Sequence, residues 1–135
     1  MNIKVYEDIK TNLEKFMIDK GYSGKIVGFA PNQPNYPLII IKEIRNVPFE
    51  KYNKLIETIA NLSYRIDIYA KQIENKSKED VARELAFNCN EFMTKNVGLF
   101  QNSWNIVDND GQNGELYHII IIYSRKYFEQ RLRFI

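Results

Sequence analysis

Leu62-Ser63-Tyr64-Arg65-Ile66-Asp67-Ile68-Tyr69-Ala70 alternates apolar and polar residues without a break. A strand turns successive side chains to opposite faces, so this stretch predicts a half-buried strand reaching Lys71. Leu62, Tyr64, Ile66, Ile68 and Ala70 fall on one side. Ser63, Arg65, Asp67, Tyr69 and Lys71 fall on the other. A short polar link leads to Ser77-Lys78-Glu79-Asp80, a capping-box-like helix start with Asp in place of the preferred Glu. Val81, Ala82, Leu85, Ala86, Cys89, Phe92 and Met93 then form one apolar stripe at helical spacing, and Gly98 follows as a stop signal.

The rest of the chain extends this strand-helix pair. Tyr6, Ile9, Leu13, Phe16 and Met17 share one face of a helix over residues 4–20, closed by Gly21. Residues 25–30 read as a short strand. Pro31, Pro34 and Pro37, interleaved with Asn32, Gln33 and Asn35, make a loop. Leu38-Ile39-Ile40-Ile41 opens a strand over residues 38–44 that is apolar on both faces, with Pro48 marking its end. Phe49, Tyr52, Ile56 and Ile59 fit a short helix over residues 49–61, although β-branched residues weaken that reading. Strands at residues 100–107 and 115–127 are expected to pair as an antiparallel hairpin across the polar turn 108–114. The expected fold class is α+β: a single domain over 1–135, with a core at 4–127 and a C-terminal arm at 128–135. Its mostly antiparallel sheet has about four to five strands, flanked by two main helices.

Composition bounds the function. The chain has 135 residues, 27% of them charged, and a formal net charge of +2. That near-balance argues against a dedicated DNA-binding surface, which needs a basic stripe to neutralise phosphates. Cys89 is the single cysteine, so no intrachain disulfide forms, as fits a reducing compartment. Charges in Met1-Asn2-Ile3-Lys4-Val5-Tyr6-Glu7-Asp8 occupy the place of a signal peptide's apolar core. No apolar run approaches the roughly 20 residues of a membrane span.

No residue set reads as an active site or a metal centre, and no cofactor is expected. Asp108, Asp110 and Gly111 have some of the residues of a calcium loop, but Glu115 comes too early and no exiting helix follows. His118 is the only histidine and shares a strand face with Leu116, Ile120 and Ile122. Cys89 lies on a helical apolar stripe, where a thiol fills core. Gly21-Tyr22-Ser23-Gly24-Lys25 lacks phosphate-loop spacing. Tyr64, Tyr69, Tyr117, Tyr123 and Tyr127, with Arg65 and Arg125, could stack single-stranded bases, but tyrosine is equally a strand and interface residue. Arg125, Lys126, Arg131 and Arg133 make the C-terminus basic, with Phe128, Leu132, Phe134 and Ile135 as apolar partners, a composition suited to a docking arm.

The N-terminal helix, Tyr36-Pro37-Leu38-Ile39-Ile40-Ile41-Lys42-Glu43-Ile44-Arg45-Asn46, Leu62-Ser63-Tyr64-Arg65-Ile66-Asp67-Ile68-Tyr69, the capped helix and the closing tyrosine-bearing strand follow in a telling order. In this order, over residues 4–127, the chain resembles the tail terminator (tail completion) proteins of tailed bacteriophages and phage-like particles, notably those of defective prophages of Gram-positive bacteria. The resemblance implies a homo-hexameric ring at the neck end of the virion tail, assembled in the host bacterial cytoplasm. That ring caps the tail tube protein, stops its polymerisation and offers a surface to head-tail connector proteins and, in contractile tails, to the sheath protein. DNA only passes through the lumen, and neither membrane nor catalysis is implied. A head-tail adaptor or stopper, and a small nucleic-acid-binding module, are the alternatives. Asn32 and Asn35 in the proline-rich loop, with Arg125, Tyr127, Phe128, Arg131, Arg133 and Phe134 near the C-terminus, are the candidate interface residues. Deleting residues 128–135 is expected to weaken assembly and leave a folded monomer, read by sedimentation velocity and circular dichroism; normal assembly would remove the arm from the interface.

Overall fold

The computed structural model describes residues 4–22, 24, 26–48, 59–110 and 114–128, and at 4, 45–48, 59–61, 109–110 and 125–128 it describes the backbone alone. The elements run α1 (Lys4–Asp19), β1 (Ile26–Val27), β2 (Leu38–Pro48), β3 (Ile59–Ala70), α2 (Lys78–Glu91), β4 (Phe100–Asp110) and β5 (Leu116–Phe128). A π-helical turn, Phe92–Val97, continues α2 without a break. The fold is α+β: one mixed five-stranded sheet in the order β1-β2-β3-β5-β4, antiparallel except where β1 joins β2. No helix among the described residues is long and apolar enough to cross a membrane.

Both helices lie on one face of the sheet, because their apolar stripes meet the same strand residues. Val5, Ile9, Leu13 and Met17 of α1 join Val81, Ala82, Leu85, Ala86 and Cys89 of α2 in one buried cluster. The strands contribute Ile39, Ile41, Leu62, Tyr64, Ile66, Ile68, Ala70, Tyr117, Ile119, Ile121 and Tyr123 to it. A fully buried Ile or Leu side chain contributes about 1.5–3 kcal/mol, so Ile9 and Leu13, with Val5 and Met17, are the anchors of α1 on the sheet. Two tyrosine hydroxyls at the cluster are hydrogen-bonded: Tyr6 donates to the Ile41 carbonyl at 2.7 Å, and Tyr123 to Asn90 at 3.0 Å.

Local chemistry sets the helix ends. Gly21 takes a φ of 98°, which lets Tyr22 N–H reach the Met17 carbonyl and Gly21 N–H the Ile18 carbonyl, a Schellman closure of α1. Ser77 caps α2, its Oγ accepting from Asp80 N–H at 3.2 Å. The turn after α2 ends at Gly98, φ 85°, with Leu99 N–H bonded to the Met93 carbonyl.

Most boundaries agree with the sequence reading, but β2 runs on to Pro48 where a strand over 38–44 was expected, β4 runs on to Asp110 into the expected turn 108–114, and three further differences stand out. The strand expected at 25–30 is two residues long. Residues 59–61, included in the possible helix over 49–61, are strand, because Ile59, Ala60 and Asn61 pair with Phe128, Tyr127 and Lys126; residues 49–58 lie outside the described residues. The last strand runs through Phe128, so the arm begins one residue later than expected.

Ser77→Ala should lower stability by about 1 kcal/mol in urea denaturation, since it orphans a helix N–H, whereas Ser77→Asp, also a good cap, should stay near the wild-type value.

Candidate functional site

The sheet face away from the helices carries the strand positions the sequence placed opposite the core, and one of them is not a surface residue. Asp67 is only 2% exposed. Its strand partners are Ile40 on β2 and Ile120 on β5, so it stands in an apolar row. A guanidinium and an imidazole close over its carboxylate. Arg65, two residues back on the same face, forks onto it through Nε (2.9 and 3.1 Å) and Nη2 (2.9 Å). His118, diagonally across on β5, places Nε2 2.8 Å from Oδ1. An ionised carboxylate only accepts, so Nε2 donates. Tyr69, the direct cross-strand partner of His118, stacks on its ring at 4.0 Å between centroids.

Burial is the largest single influence on the Asp67 carboxyl and by itself would raise its pKa. The hydrogen bonds from His118 and Arg65, with their charge, outweigh it and hold the group below the usual carboxylate range. The carboxylate in turn strengthens the protonated state of Arg65.

An Asp–His pair is the orienting half of a general-base catalyst, and the sequence reading had missed it by treating Asp67 as solvated. Its setting is nonetheless that of a strut. The His118 side chain is 7% exposed, one ring nitrogen is committed to Asp67, and a ring face is covered by Tyr69. General-base work requires a substrate within hydrogen-bond reach. Cys89 is no partner for it: the thiol lies in the helix-side cluster with Tyr117 and Ile119, against the opposite face of the sheet from His118. Burial pushes that thiol up to about 12, and its Sγ rests 4.0 Å from Met17 Sδ.

The other candidates also have clear positions. Asp108 is held by Lys78 Nζ at 3.1 Å, and the same amine donates to the Gly114 carbonyl, so Asp108 ties α2 to the hairpin. Among the described residues no group of three or more His, Cys, Asp or Glu side chains is placed to hold a metal. Tyr64, Tyr117 and Tyr123 are core residues, which removes them from any base-stacking surface. Asn32 and Asn35 are exposed in the proline-rich loop. Arg125, Tyr127 and Phe128 belong to β5, where they pair with Leu62, Ala60 and Ile59. Arg131, Arg133 and Phe134 lie outside the described residues, as do Gly111 and Lys25. The structure therefore does not gather the eight candidate interface residues into one described surface.

The surface that sequence reading missed is β4. It has eleven residues and, among the described residues, is an edge strand paired with β5 along one side only. Phe100 (71% exposed), Trp104 (37%), Ile106 (46%) and Val107 (42%) stand out from it. Register puts Phe100 opposite Ser124 and Val107 opposite His118 on one face, and Trp104 and Ile106 opposite Ile121 and Ile119 on the other. Edge strands normally carry Lys or Pro against edge-to-edge pairing. Phe-Gln-Asn-Ser-Trp-Asn-Ile-Val-Asp-Asn-Asp has neither. Those absences were visible in the sequence; the sheet order that makes β4 an edge was not.

No protein-family model matches the chain, and no curated protein matches it significantly.

Asp67→Asn should destabilise the fold by about 3 kcal/mol at pH 7, because it strands Arg65 and His118 around a neutral amide. Since the folded carboxyl titrates below its unfolded value near 3.9, the Asp67 contribution is complete above that pH and is lost as pH falls through the folded value. The gap between wild type and variant in urea denaturation should therefore narrow between about pH 5 and pH 2; a constant gap would contradict the assignment.

Proposed function

We propose that this chain is a structural ring subunit of the tail-terminator kind, working by assembly and not by catalysis. The observation that carries the reading is β4: among the described residues it is an outermost strand that has Asp108, Asp110 and two register shifts but no Lys or Pro, and apolar side chains stand exposed on both of its faces. Apolar residues on both faces are the pattern of a strand inside a sheet. On a domain edge they mark a surface completed by another chain. A closed ring requires two different patches per subunit, and a small α+β domain with two sheet edges supplies them. The order of elements over residues 4–127, with helices on one sheet face, is compatible with the resemblance to tail terminators.

In this reading the ring, hexameric by the resemblance, sits on the last layer of the tail tube at the neck end. It ends tube growth by presenting a surface that does not bind another tube subunit, and it offers that surface to the connector of the head. The sheath is a further partner where the tail contracts, and DNA passes through the lumen. The Asp67–His118–Arg65 cluster stiffens the sheet that bears the contact edge. No cofactor enters.

Disrupting the gene in its parent particle and measuring tails by negative-stain electron microscopy tests the proposal. Over-long, headless tubes are expected. Intact particles of normal length would overturn the assignment, and normal-length tails beside unjoined, DNA-filled heads would replace it with a head-tail adaptor.

A further inference from the structure

β1 covers little of its neighbour. Among the described residues it pairs Ile26 with Ile39 and Val27 with Ile40 and makes no other pair with β2. Among the described residues, β2 from Lys42 to Pro48 therefore has a strand on its β3 side only. The sheet has two open edges on opposite sides: β4, and this second half of β2. Ile44 stands on the latter, 53% exposed, beside the exposed Lys42.

We propose that β4 of one copy adds to the outer edge of β2, residues 42–48, in the next copy, so that the sheets run on from subunit to subunit. The inference rests on the ring reading above and specifies its contact. Three observations favour this occupant.

The first is strand direction. β2 is antiparallel to β3, β3 to β5, and β5 to β4, so β4 runs opposite to β2. Two copies set side by side in the same orientation, with helices on the same face, bring β4 against β2 as an antiparallel pair. That is the head-to-tail repeat from which a closed ring is built, and antiparallel is the more stable pairing. The second is charge. The sequence of β4 has Asp110 and Asp108, the latter already paired with Lys78 within its own subunit, and no Lys or Arg, whereas that of residues 42–48 has Lys42 and Arg45 against Glu43. In the antiparallel arrangement the acidic end of β4 lies alongside the end of the segment that begins with Lys42. The third is apolar complementarity. Trp104 and Ile106 are exposed on one edge and Ile44, at the bulge of β2, on the other, so the pairing sets exposed apolar side chains along both of the joined strands. A two-fold antiparallel β4–β4 pairing would instead set the acidic end of each β4 against the Phe100 end of the other, away from Lys42, and leave the β2 edge open.

Mixing complementary variants of the full chain tests this. Ile44→Lys blunts the β2 edge and Ile106→Lys blunts β4; both replaced side chains are about half exposed. Far-UV circular dichroism checks each fold, with Lys42→Glu and Val107→Lys as second choices on the same edges. In sedimentation velocity the wild type should assemble beyond a dimer. Each variant alone should be monomeric, weakened at least tenfold. The mixture should form a one-to-one dimer, because one intact β4 and one intact β2 edge remain. Trp104, the only tryptophan, should shift its emission to shorter wavelength in the mixture. Wild-type assembly by the β2-edge variant would overturn the pairing while leaving the ring reading intact. Dimerisation of the β2-edge variant on its own, with the β4 variant monomeric, would replace it with the two-fold contact. A mixture that stays monomeric would also overturn it. Wild type monomeric at every concentration would overturn the ring reading and this inference together.

Discussion

The pairing of β3 with β5 is the constraint from which the other features follow. Its ladder runs unbroken from Ile59 against Phe128 to Ala70 against Tyr117. A strand side chain points to one face or the other with period two, so a slip of one residue would exchange the two faces completely. The register in place puts Leu62, Tyr64, Ile66 and Ile68 with Tyr117, Ile119, Ile121 and Tyr123 under the helices. The same register brings Asp67 within reach of His118 on the other face. A slipped ladder would bury Arg65 under α2 and part the carboxylate from its imidazole. The ion cluster therefore acts as a register lock as well as a local strut: satisfied in one alignment, it is costly in the neighbouring ones.

The two sheet faces thus solve different problems. The helix side is closed by apolar burial alone and contains the thiol of Cys89 as a small apolar group. The far side is closed by a polar network set among Ile40, Ile120 and Leu116, with Tyr69 laid over His118. What neither face closes is the edge of the sheet. β1 covers two residues of β2, and nothing among the described residues pairs with the outer side of β4. Edge exposure is tolerable for short or charged strands. Here one edge is eleven residues long and, besides Asp108 and Asp110, exposes apolar side chains on both faces, which is the physical basis of the proposed assembly role.

Sequence periodicity was a sound guide wherever one face of an element meets the core. The stripe of α2 is buried at every position expected, and Leu38 to Ile41 are buried on both faces of β2 as their run implied. Capping chemistry was equally legible, because Ser77 and Gly98 act within a few residues of themselves. What could not be read depends on distant pairing. Asp67 looks like a solvated strand residue until β5 supplies His118, fifty-one positions away in sequence. The β4 sequence looks like an ordinary hairpin strand until the sheet order places it outermost. Which backbone edges lie open is likewise set by sheet order, which composition does not reveal.

Amide hydrogen exchange along the full chain, compared between dilute and concentrated solution, tests the central claim most directly. An edge strand offers alternate N–H groups to solvent, and pairing with another chain protects them. The account predicts that protection in Phe100–Asp110 rises with concentration while the β3 and β5 amides, already paired on both sides, change little. Exchange in β4 that is identical at every concentration would contradict it.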